Sequence, residues 1–126
     1  MYTHPMPCPF CNAVSDAVVE NEHAFSIRDR HPVSPGHSLI IPKKHVTTVF
    51  ELPVEDYRGC FDLVRTVREH LEREHRPDGF NIGVNCGSVA GQTVAHAHVH
   101  LIPRYAGDVS KPRGGVRNVI PGKGDY

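Results

Sequence analysis

The chain has 126 residues, with 14 Lys+Arg against 14 Asp+Glu and a formal net charge of zero. That length suits one domain with a real core, and the charge balance excludes a general nucleic-acid or membrane-surface binder. The first residues carry no basic-then-apolar signal, and no apolar run is long enough to span a bilayer. A cytoplasmic location follows by default, so the four cysteines (Cys8, Cys11, Cys60 and Cys86) are not expected to form a disulfide framework. Ten histidines is high for this length and points to a site.

Cys8-Pro9-Phe10-Cys11 opens the informative part of the chain. In a reducing compartment such a pair reads as half a zinc site or as a redox pair. A redox pair is expected near a βαβ pattern, and none follows. Zinc needs two further ligands. The best candidates are His45, after Pro42-Lys43-Lys44, and His96, with His4 ranked below them. Two free thiols are the plainer alternative.

Residues 17–20 and 24–27 read as short strands around the polar turn Asn21-Glu22-His23. Phe25 and Ile27 suit a base pocket or ordinary core packing. Asp29 opens the turn Asp29-Arg30-His31-Pro32, and His31 reads as surface. Ser34-Pro35-Gly36 is a turn, and residues 37–41 form a strand ended by Pro42. His37 opens that strand.

Residues 47–52 form a short helical turn. Pro53 then reads as the first residue of a long helix, with Glu55 and Asp56 suited to its dipole. Tyr57, Phe61, Val64, Val67 and Leu71 make one apolar stripe, Cys60 packs beside it, and Pro77-Asp78-Gly79 stops the helix. Residues 80–84 are a further strand, with Phe80, Ile82 and Val84 on one side. It runs into a glycine-bracketed loop, Asn85 to Thr93, whose backbone N–H groups can approach an anion. The loop is not of the Walker type, because no Gly-Lys-Ser/Thr follows and a strand comes next.

That next strand organises the whole chain. In His96-Ala97-His98-Val99-His100-Leu101 the imidazoles alternate with apolar residues. Strict alternation marks a half-buried strand, so the three imidazoles are expected on one face. Neighbouring histidines would lie about 6.7 Å apart at Cα and the outer pair about 13 Å, so one straight strand hardly brings all three to one metal. Two neighbours can share a zinc. Alternatively, one neutral imidazole attacks phosphorus while another holds the phosphate or protonates the leaving group.

The pattern resembles the histidine triad (HIT) nucleotide hydrolases and transferases, whose motif is His-x-His-x-His followed by two apolar residues. The flanking Gly91-Gln92-Thr93 and Pro103-Arg104 are similar to the family too, and the resemblance covers about Cys8 to Arg104. It implies an α+β domain over residues 1–104: an antiparallel sheet of about five strands, one long helix, and homodimers joined sheet edge to sheet edge. It implies that His98 is the nucleophile, its tautomer held by the backbone carbonyl of His96. It assigns phosphate and leaving-group contacts to His100 and Gln92, phosphate contacts to Asn85 and Thr93, orientation of the triad to His37, and the ribose hydroxyls to Asp29. Some bacterial members complete a Cys-x-x-Cys zinc site with positions matching His45 and His96, which implies a structural zinc on Cys8, Cys11, His45 and His96 and no catalytic cofactor.

The implied reaction is hydrolysis of a purine nucleoside 5′-phosphate derivative, a dinucleoside polyphosphate or a nucleotide phosphoramidate, through a nucleotidyl-histidine. His100 stands where transferase branches carry Gln, which favours a hydrolase. Gln92-Thr93-Val94 resembles the dinucleoside polyphosphate hydrolases (Fhit), and Pro-Lys-Lys-His resembles the phosphoramidase (Hint) branch. Two readings from other classes stay open: a phosphohydrolase with a catalytic zinc on His96 and His98, completed by Asp29 or His37, and a nucleotide-binding sensor without turnover. Beyond Arg104 the chain is rich in Gly and Pro, which forbids a long regular element. From Arg104 onward five Lys/Arg face two Asp. This basic tail, residues 105–126, could cover a partner protomer, reach a polyphosphate or stay mobile.

Overall fold

The computed structural model describes residues 8–126; His4 lies outside them. Five strands, β1 (Val19–Glu20), β2 (Ala24–Arg28), β3 (Ser38–Pro42), β4 (Gly79–Gly83) and β5 (Val99–Arg104), and one long helix, α1 (Val54–His75), make up the regular structure. The strands form a single sheet in the order β1-β2-β3-β5-β4, antiparallel throughout. The fold class is therefore the expected one.

The sheet has two different faces because its strands alternate. Ala24, Ile40, Val99 and Leu101 point to α1 and pack with Cys60, Leu63, Val64, Val67 and Leu71. Phe25, Leu39 and Ile41 point the other way, where Phe10, Ala13 and Ile27 cover them. The helix stripe is rotated from the expected one: Cys60 and Leu63 sit at its centre, while Tyr57 is 39 % exposed. Pro53 precedes the helix with ψ 150° and caps it through its carbonyl, one residue off the expectation. Asp56 in the first turn binds Nδ1 of His23 at 2.9 Å and Nζ of Lys44 at 2.9 Å. It thereby ties the β1–β2 turn and the Pro-Lys-Lys-His segment to the helix start.

One local expectation needs correction, and two further features add detail to the others. First, the triad does not lie on one strand: β5 begins only at Val99. Ladder pairing with β3 runs from Ser38↔Leu101 to Ile40↔Val99 and stops. Continued, it would set Pro42 opposite Ala97, and proline has no N–H to donate. The Ala97 N–H goes to the Val46 carbonyl at 2.8 Å instead. Second, Ile82 is 47 % exposed although Phe80 and Val84 pack on the core, because β4 is the outer strand with a neighbour on one side only. Third, the tail is ordered around itself: the guanidiniums of Arg113 and Arg117 lie 4.6 and 4.8 Å from the ring centre of Tyr126, and a short 3-10 segment, Gly115–Val119, touches β4.

Candidate active site

The site lies on the sheet face away from α1. Register alone sets part of it: His100 pairs with Leu39, and Leu39 with Ile27, so the three form a row across β5, β3 and β2. Rows on adjacent strands are about 4.8 Å apart. A cleft of about 800 Å³ runs over this row and is lined by His98, His100, Thr93 and Asn85. Asp29, Arg30 and His31 line it, and residues of the 9–16 segment, Phe10 among them, complete the wall. That volume is within the range of small-ligand sites.

Each triad histidine is fixed by what its second nitrogen touches. Nδ1 of His98 lies 2.9 Å from the His96 carbonyl, an acceptor only, so it carries the hydrogen and Nε2 keeps its lone pair. The Val33 N–H donates to Nδ1 of His37 at 3.2 Å, so a neutral His37 carries its hydrogen on Nε2. That hydrogen is donated to Nδ1 of His100 at 2.9 Å, which leaves the hydrogen of neutral His100 on its own Nε2. The rings of His98 and His100 are 5.2 Å apart. One therefore offers a lone pair and the other an N–H donor, side by side in one cleft.

Electrostatics keep these rings neutral. Burial lowers the His37 imidazole, against the pull of Asp29. Burial also lowers His98, opposed by its bond to the His96 carbonyl and by Asp29. His100 is pushed down to about 4 by burial, helped by His98 and His37.

Among the described residues, two groups converge closely enough to hold a metal ion: Cys8, Cys11, His45 and His96, and Asp29, His37 and His100. Their tautomers separate them. Nε2 of His96 donates to the Pro42 carbonyl at 2.9 Å, which turns an unprotonated Nδ1 on the neutral ring toward Cys8 Sγ at 3.5 Å and His45 Nδ1 at 3.0 Å. Nδ1 of His45 is also 3.1 Å from Cys11 Sγ. Desolvation, with the hydrogen bond and charge of Cys8, raises the Cys11 thiol, and a cation among the four would reverse that effect. Two sulfurs and two nitrogens with an outer-shell carbonyl on one imidazole suit zinc. In the second group the Val33 N–H holds the hydrogen of His37 on the very nitrogen a metal would need, so this group is a hydrogen-bond relay. His96 and His98 meet in neither group, which removes the catalytic zinc imagined between them.

The remaining expected residues divide. Asp29 is half-buried, its carboxylate 3.4 Å from Nε2 of His37 and holding the His31 N–H at 2.9 Å. Asn85 and Thr93 line the cleft. Gln92 does not: it is buried, and its amide binds Gly87 N–H, Thr47 O and Val94 O at 2.6–3.0 Å. Gly87 and Gly91 take φ of +99° and +96°, which glycine tolerates, and the N–H groups of Gly87, Ala90, Gly91 and Gln92 are bonded inside the loop. The loop thus presents side chains, and these four amides are not turned to an anion as expected. Sequence reasoning missed Phe10, whose ring meets His98 edge-on at 5.0 Å; its place between two candidate ligands was the available signal.

The HIT domain family profile matches residues 12–107. The chain belongs to the HIT family. An uncharacterized HIT-like protein of Methanocaldococcus jannaschii is 38% identical over 118 residues, 89% of this chain and 91% of that protein. The adenylylsulfatase HINT3 of Arabidopsis thaliana is 35% identical over 80% of this chain and 54% of its own length. The asymmetrical bis(5'-nucleosyl)-tetraphosphatase of Schizosaccharomyces pombe is 40% identical over 64% of this chain and 44% of its own. Among solved structures, a zinc-bound histidine triad family protein from Mycobacterium smegmatis superposes with a TM-score of 0.75 at 35% identity, covering 82% of this chain and 78% of that one. The relatives are consistent with nucleotide hydrolysis, and the zinc-bound HIT structure together with the Cys8/Cys11/His45/His96 cluster suggests a zinc site. Among the described residues no helix is long and apolar enough to cross a membrane.

Proposed function

We propose that this HIT protein hydrolyses purine nucleoside 5′-phosphate derivatives, dinucleoside polyphosphates or nucleotide phosphoramidates, through a nucleotide covalently held on His98. The observation that carries the reading is the bond from Nδ1 of His98 to the His96 carbonyl, which leaves Nε2 as a lone pair in the cleft. That nitrogen attacks the α-phosphorus, an N–P bond forms, and the bond to the leaving group breaks. Nε2–H of His100 donates to the phosphate or to the leaving atom, oxygen in an anhydride and nitrogen in a phosphoramidate, with Asn85 and Thr93 as further donors to the growing negative charge. Water then attacks phosphorus, the N–P bond breaks, and the nucleoside monophosphate leaves. Asp29 offers its carboxylate to the ribose hydroxyls.

Gln92 serves this chemistry indirectly, by holding the loop that carries Asn85 and Thr93. Zinc on Cys8, Cys11, His45 and His96 is structural in this scheme, fixing the Cys8–Cys11 turn against the sheet, and no step passes through it. β4 has no strand on its outer side and exposes Ile82, although the Gly115–Val119 segment lies against part of it; this edge supports a homodimer joined along it. The four thiols suit a cytoplasmic protein.

Rapid quench with labelled diadenosine polyphosphate in the presence of EDTA tests the scheme. Label should appear on the wild-type protein, chase into adenosine monophosphate, and be absent from His98→Ala. Turnover without label on the wild type would overturn the nucleophile in favour of direct attack by water.

A further inference from the structure

The metal cluster and the cleft share more than proximity. Phe10 sits between Cys8 and Cys11, and its ring is 5.0 Å from that of His98 and 6.0 Å from that of His96. Pro9, Phe10 and Asn12 line the cleft directly. Besides the cluster, this wall rests on the small apolar group of Phe25, Leu39 and Ile41. His96 is engaged twice: its ring enters the cluster, and its carbonyl holds Nδ1 of His98. The metal ligands therefore fix both a side of the cleft and the ring that faces it.

From this we infer that metal and nucleotide binding are coupled, with Phe10 as the positioning residue that transmits the coupling. The inference rests on the nucleotide reading of the cleft. Without the ion, the two thiols and two imidazoles are held only to one another, Cys8 to His96 at 3.5 Å and Cys11 to His45 at 3.1 Å, and such sulfur–imidazole contacts fix the Cys8–Cys11 turn less firmly than four bonds to one metal. Phe10 then loses its fixed place, and a nucleotide must order the wall at its own cost. Linkage makes the effect reciprocal: whatever factor zinc adds to nucleotide affinity, nucleotide adds to zinc affinity.

The test measures both directions on the zinc-loaded protein. Zinc affinity is read by competition with a chromophoric chelator, with and without saturating adenosine monophosphate. Adenosine monophosphate affinity is read by calorimetry before and after zinc extraction. We expect about a tenfold gain in zinc affinity with nucleotide, and the same factor in nucleotide affinity with zinc. Phe10→Ala should still hold one zinc per chain, yet bring the factor close to one.

Zinc affinity unchanged by nucleotide, with adenosine monophosphate binding intact, overturns the coupling and leaves a passive clamp. A factor that survives Phe10→Ala in full also overturns it, since the linkage then runs through His96 or through global folding and not through Phe10. The chelator competition needs no folded metal-free protein, so collapse on extraction does not spoil it. Failure of adenosine monophosphate to bind the loaded protein removes the nucleotide reading itself, and the coupling falls with it.

Discussion

The depressed imidazole of His100 gives a sharp prediction for pH. The role proposed for it requires a neutral ring, because Nδ1 must accept from His37 while Nε2–H points into the cleft. Burial and the neighbouring rings bring its pKa to about 4 from the ordinary 6.5. At pH 5.5 an ordinary histidine is only about one-tenth neutral, whereas one at about 4 stays roughly 97% neutral. His98 and His37 are lowered in the same direction. The value of kcat/KM for a dinucleoside triphosphate, whose anhydrides survive mild acid, should therefore fall by much less than tenfold between pH 7.5 and 5.5. A tenfold fall centred between pH 6 and 7 would refute the argument, for it would mean that the rings titrate as if solvated.

The same shift sets a stability trend. A folded pKa below the unfolded one leaves the fold unpenalised above 6.5 and progressively penalised as pH falls toward 4. His100 alone should then remove about 2 kcal/mol between pH 7 and pH 5, read as a lower urea midpoint, and an unchanged midpoint would contradict it. Gln92→Ala strips partners from Gly87 N–H, Thr47 O and Val94 O, so it should cost about 2–4 kcal/mol in denaturant unfolding. A stable variant with selectively lost turnover would instead return Gln92 to the substrate. Gly59→Ala drives a methyl into the ring of His23, and about 1–3 kcal/mol of destabilisation is expected by thermal melting, with a neutral result showing that the β1–β2 turn yields easily.

Much of the fold was legible because its signals are periodic. Alternation marked β2 and the later part of β5, a short apolar run between a Ser-Pro-Gly turn and Pro42 marked β3, and the 3–4 spacing of Val64, Val67 and Leu71 marked α1. The start of β5 was not legible, since the alternation of His96 to His100 continues unbroken through the point where pairing stops. The interruption comes from Pro42, fifty-odd residues away, and shows only once the register of β3 against β5 is known. The stripe of α1 was misjudged at Tyr57 for a similar reason. Periodicity names a face, but the packed side is decided by what the helix meets, and there it meets the sheet through Cys60 and Leu63.

The site residues show the same limit at the scale of single atoms. Residue type and order nominated His96, His98 and His100 together, but their chemistry depends on which nitrogen carries hydrogen. Three backbone groups decide that: the Pro42 carbonyl for His96, the His96 carbonyl for His98, and the Val33 N–H, acting through His37, for His100. None of these can be read from a motif, because every residue supplies such groups. Gln92 shows the reverse case. Its place beside the triad suggested a contact with substrate, yet its amide has three backbone partners within the surrounding loops. A buried amide bonded in this way is not free to turn toward a ligand without leaving those groups unsatisfied. Asn85 and Thr93 line the cleft, and under the proposed function they are the side chains of this loop offered to a phosphate.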